Sequence, residues 1–193
     1  TFNFPPQYEM LLQAIHPVAD EILEDYMAHW ETCAFPKKTL ITAEGEIQSY
    51  MYFVLEGIQK SYYLHDDKQH VIAFTYPPSF SGIPESFFTQ SHSRYFLEAI
   101  TDSRFMRISF SRHQTLMQEH RPIETLFRKA TEHLLIGQIE RHYELMAFDI
   151  QTRFVNLIRR SPQLLNRVPH KDLASYLRID PTNFSKLLGS VQI

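Results

Sequence analysis

The sequence predicts an α+β chain in three parts: a β-roll entered through helices, a long central helix, and two short C-terminal helices joined by a tight turn. Three observations carry that prediction. Between Cys33 and Ser109, short runs rich in Val, Ile, Tyr and Phe recur at close intervals, separated by turn-forming residues. From Pro122 to Phe148 the apolar spacing becomes that of one uninterrupted helix. From Val168 to Gly189 two helix-sized patterns flank a turn containing an Asp-Pro pair. The expected boundaries are 1–121, 122–148 and 149–193.

Residues 7–31 are predicted helical, with Leu11, Leu12, Ile15, Val18, Ile22, Leu23 and Tyr26 at mixed three- and four-residue spacing and Pro17 dividing the stretch in two. The runs KTLITA, SYMYFVLEG, IQKSYYLH, HVIAFTY, RYFLEAI and SRFMRIS then read as strands, with AEGE, HDDKQ and YPPSFSG as turns. Strands so closely spaced suggest a sandwich or barrel-like roll. Pro122 opens the long helix, in which Ile123, Leu126, Phe127, Ala130, Leu134, Gly137, Arg141, Leu145 and Phe148 trace a stripe. Either a second copy covers this stripe, making a two-fold dimer, or the chain's own roll does. Gly137 costs about 1 kcal/mol relative to Ala, which close helix–helix approach would offset. Asp149 caps a further helix, IQTRFVNLIRRS, and Pro162 ends it.

In the C-terminal pair, Leu173, Ala174 and Leu177 share one face of the first helix, and Phe184, Leu187 and Leu188 one face of the second. Ile179 plugs the turn, and Asp180 with Pro181 supplies an N-cap and a first residue needing no amide donor. This is the pattern of a helix-turn-helix, whose second helix enters the DNA major groove; an ordinary helical hairpin is the plainer alternative. Thr182, Asn183, Ser185 and Lys186 face outward and can hydrogen-bond to base edges or phosphates. Arg178 stands where such a turn usually has Gly. A left-handed conformation there costs a non-Gly residue about 1 kcal/mol, so the turn is either differently shaped or strained.

The net charge of −3 is unevenly divided: residues 149–193 carry seven basic and three acidic side chains, leaving −7 on the rest. Positive charge therefore gathers beside the second helix, as counterion release from DNA requires. There is no run of 18 apolar residues, and TFNFPPQYEM has no signal-peptide pattern. The single cysteine, Cys33, excludes an intramolecular disulfide and a Cys-ligated iron–sulfur cluster within one chain. A cytoplasmic protein without a membrane partner is expected.

Catalysis has little support. A cupin-like metal enzyme would need two His one residue apart on a strand, and no His-x-His occurs. His29 and Cys33, four apart on an expected helix, are only two ligands, and His133 and His142 read as helix-surface residues. No P-loop, nucleophile elbow or dinucleotide fingerprint appears, so neither an enzyme nor a metal site is expected.

Two long segments carry a family resemblance: LITAEGEIQSYMYFVLEGIQKSYYL at 40–64, with Gly45 and Gly57 at turn positions, and AFDIQTRFVNLIRRSPQLLNRVPHKDLASYL at 147–177. Through them the chain resembles the cyclic-AMP receptor protein/fumarate–nitrate regulator (Crp/Fnr) superfamily of bacterial transcription factors, in wording most like the branch found in Bacteroidetes bacteria. The resemblance implies a cyclic-nucleotide-binding-like β-roll (a double-stranded jelly roll), a long dimerisation helix and a C-terminal winged helix-turn-helix. It implies a homodimer on double-stranded DNA, with RNA polymerase as a further partner. Carried over, the base-reading slots fall on Pro181, Thr182 and Lys186, and His170 and Lys171 match positions that hold backbone phosphates. Asn183 and Ser185 are added from helix geometry. Pro181 has no side-chain donor, and the chain stops at Ile193 where the family continues into a wing, so the wing is either missing or cut away.

The family's effector site maps onto Gly82, Glu85, Ser86, Ser93, Arg94 and Tyr95. The match is broken: Ile83 replaces the Glu after Gly82, Glu85 comes two residues late, and Arg94 is followed by Tyr95, with Ser93 before it. A one-residue shift on a strand turns a side chain to the opposite face, so Arg94 points outward unless the loop absorbs the difference. No Ser or Thr lies between Thr131 and Thr152 to meet a purine. The sequence thus argues against cyclic AMP, and no cofactor is expected beyond an unidentified small-molecule effector. Phe87, Phe88, Tyr95 and Phe96 suit either a more aromatic or apolar ligand or simple core filling. A rival reading keeps the fold as a dimeric ligand-binding protein with a vestigial helix-turn-helix.

Overall fold

The computed structural model describes residues 5–190. The extreme N-terminus used in the signal-peptide reading and residues 191–193, where the wing would begin, lie outside the described residues. Helices α1 (Pro6–Ile15) and α2 (Asp20–Ala28) lead into β1 (Glu31–Phe35), β2 (Leu40–Thr42), β3 (Tyr50–Glu56), β4 (Gln59–His65), β5 (Lys68–Thr75) and β6 (Phe80–Ser81). Next come α3 (Pro84–Thr89), β7 (Phe96–Ala99), β8 (Ser103–Ser109), α4 (Phe110–Glu119) and α5 (Arg121–Ala147). The chain continues through α6 (Ile150–Arg160), α7 (Gln163–Arg167), α8 (His170–Leu177) and α9 (Pro181–Ser190).

Two four-stranded antiparallel sheets form the roll, ordered β1-β8-β3-β6 and β2-β7-β4-β5. The sequence of β3 shows why they stack. Tyr52 and Val54 point into the space between the sheets with Leu97 and Phe105, while Phe53 points to the outer face. There it meets Tyr8, Leu12, Leu23, Tyr26 and Trp30 of the N-terminal segment, together with Leu116 and the start of α5. Both faces of β3 are covered, so it reads as a continuous apolar run rather than an alternating one. The β4–β5 hairpin turns on Asp66 and Asp67, both at positive φ (49° and 59°), the geometry that matches the twist of the strands in a two-residue hairpin.

Several expectations need correction. The first helical stretch ends at Ala28, not residue 31; His29 caps α2 while Cys33 lies in β1, so the two are not on one helix and form no metal pair. Among the described residues no cluster of three or more His, Cys, Asp or Glu could hold a metal. Burial pushes the Cys33 thiol up to about 11. The elements β1, β6, α3, α4 and α7 were not anticipated.

The stripe drawn along α5 does not face one neighbour. Ile123, Leu126 and Phe127 are buried in the chain's own roll, whereas Arg141 and Leu145 face the C-terminal helices and β5. The large apolar side chains left exposed are Leu134, which lies on that stripe, and Leu135, Ile136, Ile139, Tyr143 and Met146, which do not. Nothing lies within 4 Å of a Cβ built on Gly137, so its close approach to another helix is not made within this chain.

Candidate functional site

The C-terminal segment is organised by its caps. The Asp149 carboxylate accepts from the Thr152 amide at 2.7 Å and starts α6. Asp180 accepts from the amides of Thr182 (2.8 Å) and Asn183 (3.4 Å) and starts α9. Between α8 and α9, Arg178 takes φ 54° and ψ 46°, so the turn has the left-handed shape a Gly would favour and carries the strain of a side chain there. Two guanidiniums secure the end of α8: Arg141 donates to the Tyr176 carbonyl at 2.8 Å and Arg153 to that of Leu177 at 2.9 Å. Cations at a helix C-terminus meet its partial negative charge. Leu173, Ala174, Leu177, Ile179, Phe184 and Leu187 are buried together around Phe154, and Leu188 is half-buried.

That packing leaves a defined polar face. Thr182, Asn183, Ser185 and Lys186 are all exposed on α9, opposite buried Phe184 and Leu187. The Ser185 hydroxyl donates back to the Pro181 carbonyl at 3.0 Å. His170 and Lys171 are exposed at the start of α8, which has no side-chain cap, and the His170 ring leans on Phe184 at 5.7 Å. All three acids of the segment are occupied: Asp149 and Asp180 as caps, and Asp172 in a buried ion pair. Arg159, Arg167, Lys171, Arg178 and Lys186 remain exposed, so the outward field is positive.

The six effector-region residues gather at α3 and the start of β7, but their polar groups are engaged with one another and with backbone. Arg94 sits in the bend before β7, its side chain 73% exposed, and donates to Glu85 at 2.6 Å. The buried Ser86 hydroxyl accepts from the Gln48 amide (2.9 Å) and donates to the Ser91 carbonyl (2.6 Å). Ser93, also buried, bonds both backbone groups of Tyr95. Gly82 has φ 146°, and a Cβ there would come within 3.3 Å of the Gln48 side chain. Tyr95 packs at the edge of the inter-sheet core and meets Tyr63 edge-on. Of the aromatics, Phe87 is buried against Phe110 and His113, Phe96 stacks on Tyr62 at 4.9 Å, and Phe88 is exposed.

Sequence reasoning missed the contact between the roll and the helix-turn-helix. Lys60 on β4 reaches Asp172 on α8 at 3.0 Å, with side chains only 6% and 5% exposed, and Glu98 lies 3.7 Å from the same ammonium. Ser175 accepts from the Val71 amide and donates to the Gln69 carbonyl, pairing α8 with the open edge of β5. Tyr76 and Ser161 hydrogen-bond, Phe74 packs on Tyr176, and Ile58 and Ile100 of the roll join the apolar cluster around Phe154. The one signal was a lysine two residues before a pair of tyrosines in an expected strand.

Residues 32–120 match the cyclic nucleotide-binding domain family. No curated protein sequence matches the chain significantly. Among solved structures the chain is similar to FixK2 from Bradyrhizobium japonicum (TM-score 0.70, 20% identity, 83% of each chain covered). It is also similar to the c-di-GMP-responsive global regulator CLP of Xanthomonas campestris (0.63, 19% identity, 89% of this chain and 90% of that one). A third is the catabolite activator protein of Thermus thermophilus (0.58, 16% identity, 91% and 84%). The chain therefore has the Crp/Fnr fold, with its roll matching the cyclic nucleotide-binding domain over residues 32–120.

Proposed function

We propose that this chain is a cytoplasmic, homodimeric, DNA-binding transcriptional regulator of the Crp/Fnr type, from the Bacteroidetes branch its wording resembles, and not an enzyme. The observation that carries the reading is the α9 face: four exposed hydrogen-bonding side chains above a packed apolar underside, set in a segment whose three acids are all occupied. Thr182, Asn183, Ser185 and Lys186 read bases or neighbouring phosphates, and His170 and Lys171 hold the backbone at the uncapped start of α8. Dimerisation is supported by Ile136, Ile139, Tyr143 and Met146, exposed on α5 at the 3-4-3 spacing of a two-stranded coiled-coil seam. Two recognition helices then reach successive major grooves, where RNA polymerase is a natural partner.

The effector is not a cyclic nucleotide held by the family's phosphate grip. Supporting this, Arg94 faces solvent against Glu85, and the hydroxyls of Ser86 and Ser93 serve their own backbone. The rival, a ligand-binding dimer with a vestigial helix-turn-helix, draws on strained Arg178 and the docking of α8 on the roll.

Selection against a random duplex library, with and without cyclic AMP, tests the reading. A palindromic consensus without nucleotide is expected; a consensus only with cyclic AMP overturns the effector argument, and none in either condition favours the rival. Lys186→Ala is expected to weaken specific binding by about 1–3 kcal/mol if it reads a base. Unchanged affinity in a titration would remove it from that role.

A further inference from the structure

A cavity of about 240 Å³ lies where β5, α5 and α8 meet, away from the α3–β7 region that the family resemblance assigns to the effector. Its polar lining includes His70, Gln138, Arg141, His142 and Arg178, beside the Tyr63 ring, and no carboxylate is among the lining residues. Two Arg and two His residues thus line it, with no acid among them. Arg141 is fixed by neutral groups: its guanidinium lies 3.5 Å from the Tyr176 ring centroid and gives one bond to the Tyr176 carbonyl. Further N–H donors of its five remain for the cavity. Glu144, one turn along α5, is paired with Arg160. Burial lowers the Arg141 pKa, outweighing the nearby Glu144 carboxylate, which acts the other way.

Arg178 gives an independent sign. It holds a strained left-handed conformation at the one turn position where Gly would be favoured, and it is one of the residues lining this cavity. Strain kept at a site that does not need a side chain for folding is a mark of function. On the remaining wall, His70 stacks on Tyr63 (5.0 Å, 15°), offering a flat surface beside the cationic groups.

We infer that this cavity binds a small multivalent organic anion, phosphoryl- or carboxylate-bearing, through Arg141 and Arg178, with Tyr63 and His70 against its less polar part. A volume just below the usual range for ligand sites fits a small metabolite rather than a dinucleotide. The inference rests on the regulator proposed above, since it supplies that regulator's effector class and entry point. The ligand touches the roll, the long helix and the helix-turn-helix together, so its binding alters how firmly α8 is docked and, by linkage, DNA affinity. The cavity face of α5 lies about 130° around the helix from Ile136, Ile139, Tyr143 and Met146, so a partner helix and a ligand can be held at once.

The test is calorimetric titration of the full chain with pyrophosphate and with citrate, against acetate at matched ionic strength. Saturable binding of one multivalent anion per chain is expected, weakened at least tenfold by Arg141→Gln and by Arg178→Gly, and unchanged by Arg94→Gln. Arg178→Gly removes the guanidinium while relieving the backbone, so a raised melting temperature with weakened anion binding separates a ligand role from a structural one. No saturable binding of either anion, or binding indifferent to both variants, overturns the inference. Repeating the DNA selection with each anion keeps the two readings apart: a consensus without anion binding leaves the regulator and removes the pocket, and anion binding without any consensus does the reverse.

Discussion

The buried Lys60–Asp172 pair can be put to a quantitative test, because it joins opposite charges across the roll and α8 in the interior. At 3.0 Å and an effective dielectric near 20, the attraction is about 5–6 kcal/mol, much of it offset by desolvation. Removing one partner is worse than removing both, since a stranded buried charge typically costs about 3–5 kcal/mol. The two single variants differ. In Asp172→Asn, Lys60 keeps Glu98 at 3.7 Å and the Gln69 side-chain oxygen at 3.0 Å, so the loss is expected near the low end, about 3 kcal/mol. Lys60→Met leaves two carboxylates facing one another without a cation and is expected to cost more, about 4–5 kcal/mol. The double variant should cost well under the sum, with a coupling of about 2–3 kcal/mol. Urea unfolding supplies these values, and hydrogen exchange of the α8 amides reports whether docking loosens. Single losses under about 1 kcal/mol that simply add would refute the reasoning, because they describe a solvated surface pair.

Three further outcomes follow from particular side chains. His113 is buried against Phe127 and Tyr26, and burial lowers its pKa from the ordinary 6.5 to about 4. Its neutral form is favoured in the fold, so about 3 kcal/mol of stability is present above pH 6.5 and lost as the pH falls towards 4; His113→Gln should flatten that slope in urea titrations. Gly57 has φ 93°, and a Cβ there would lie 2.5 Å from the Asp102 carbonyl and 2.4 Å from the Ser103 hydroxyl, so Gly57→Ala is expected to destabilise the roll by about 2 kcal/mol or more in a thermal melt. Ile139→Glu places a charge in the exposed α5 stripe, and sedimentation should show a monomer that binds single half-sites only weakly; an unchanged dimer would move the interface elsewhere.

Elements whose causes are local were legible in the sequence. Asp149 and Asp180 announce their helices because a cap acts within three residues, and both bonds form as expected. Pro17 separates α1 from α2, and the six expected strand runs each overlap a strand, β5 beginning two residues early within the expected turn HDDKQ. What escaped notice had weak local signals: α4 is polar apart from Phe110, Leu116 and Met117, and β1 interleaves exposed with half-buried residues on a sheet edge. The long α5 was visible as a helix, but which neighbour each turn would meet was not, since one helical period serves a roll, a helix-turn-helix or a second copy equally well.

Sequence alone therefore determined the order of parts, the caps, the strand runs and the polar face of α9, all consequences of contacts made within a few residues. Only the tertiary structure decided that Arg94 looks outward to Glu85, that Lys60 is buried because Asp172 lies 112 positions further along, and that Arg141, His142, His70 and Arg178 share one cavity. Those pairings depend on how the roll, α5 and α8 close upon one another. No short window of sequence contains the charge, the partner and the excluded water that together give each of them its energy.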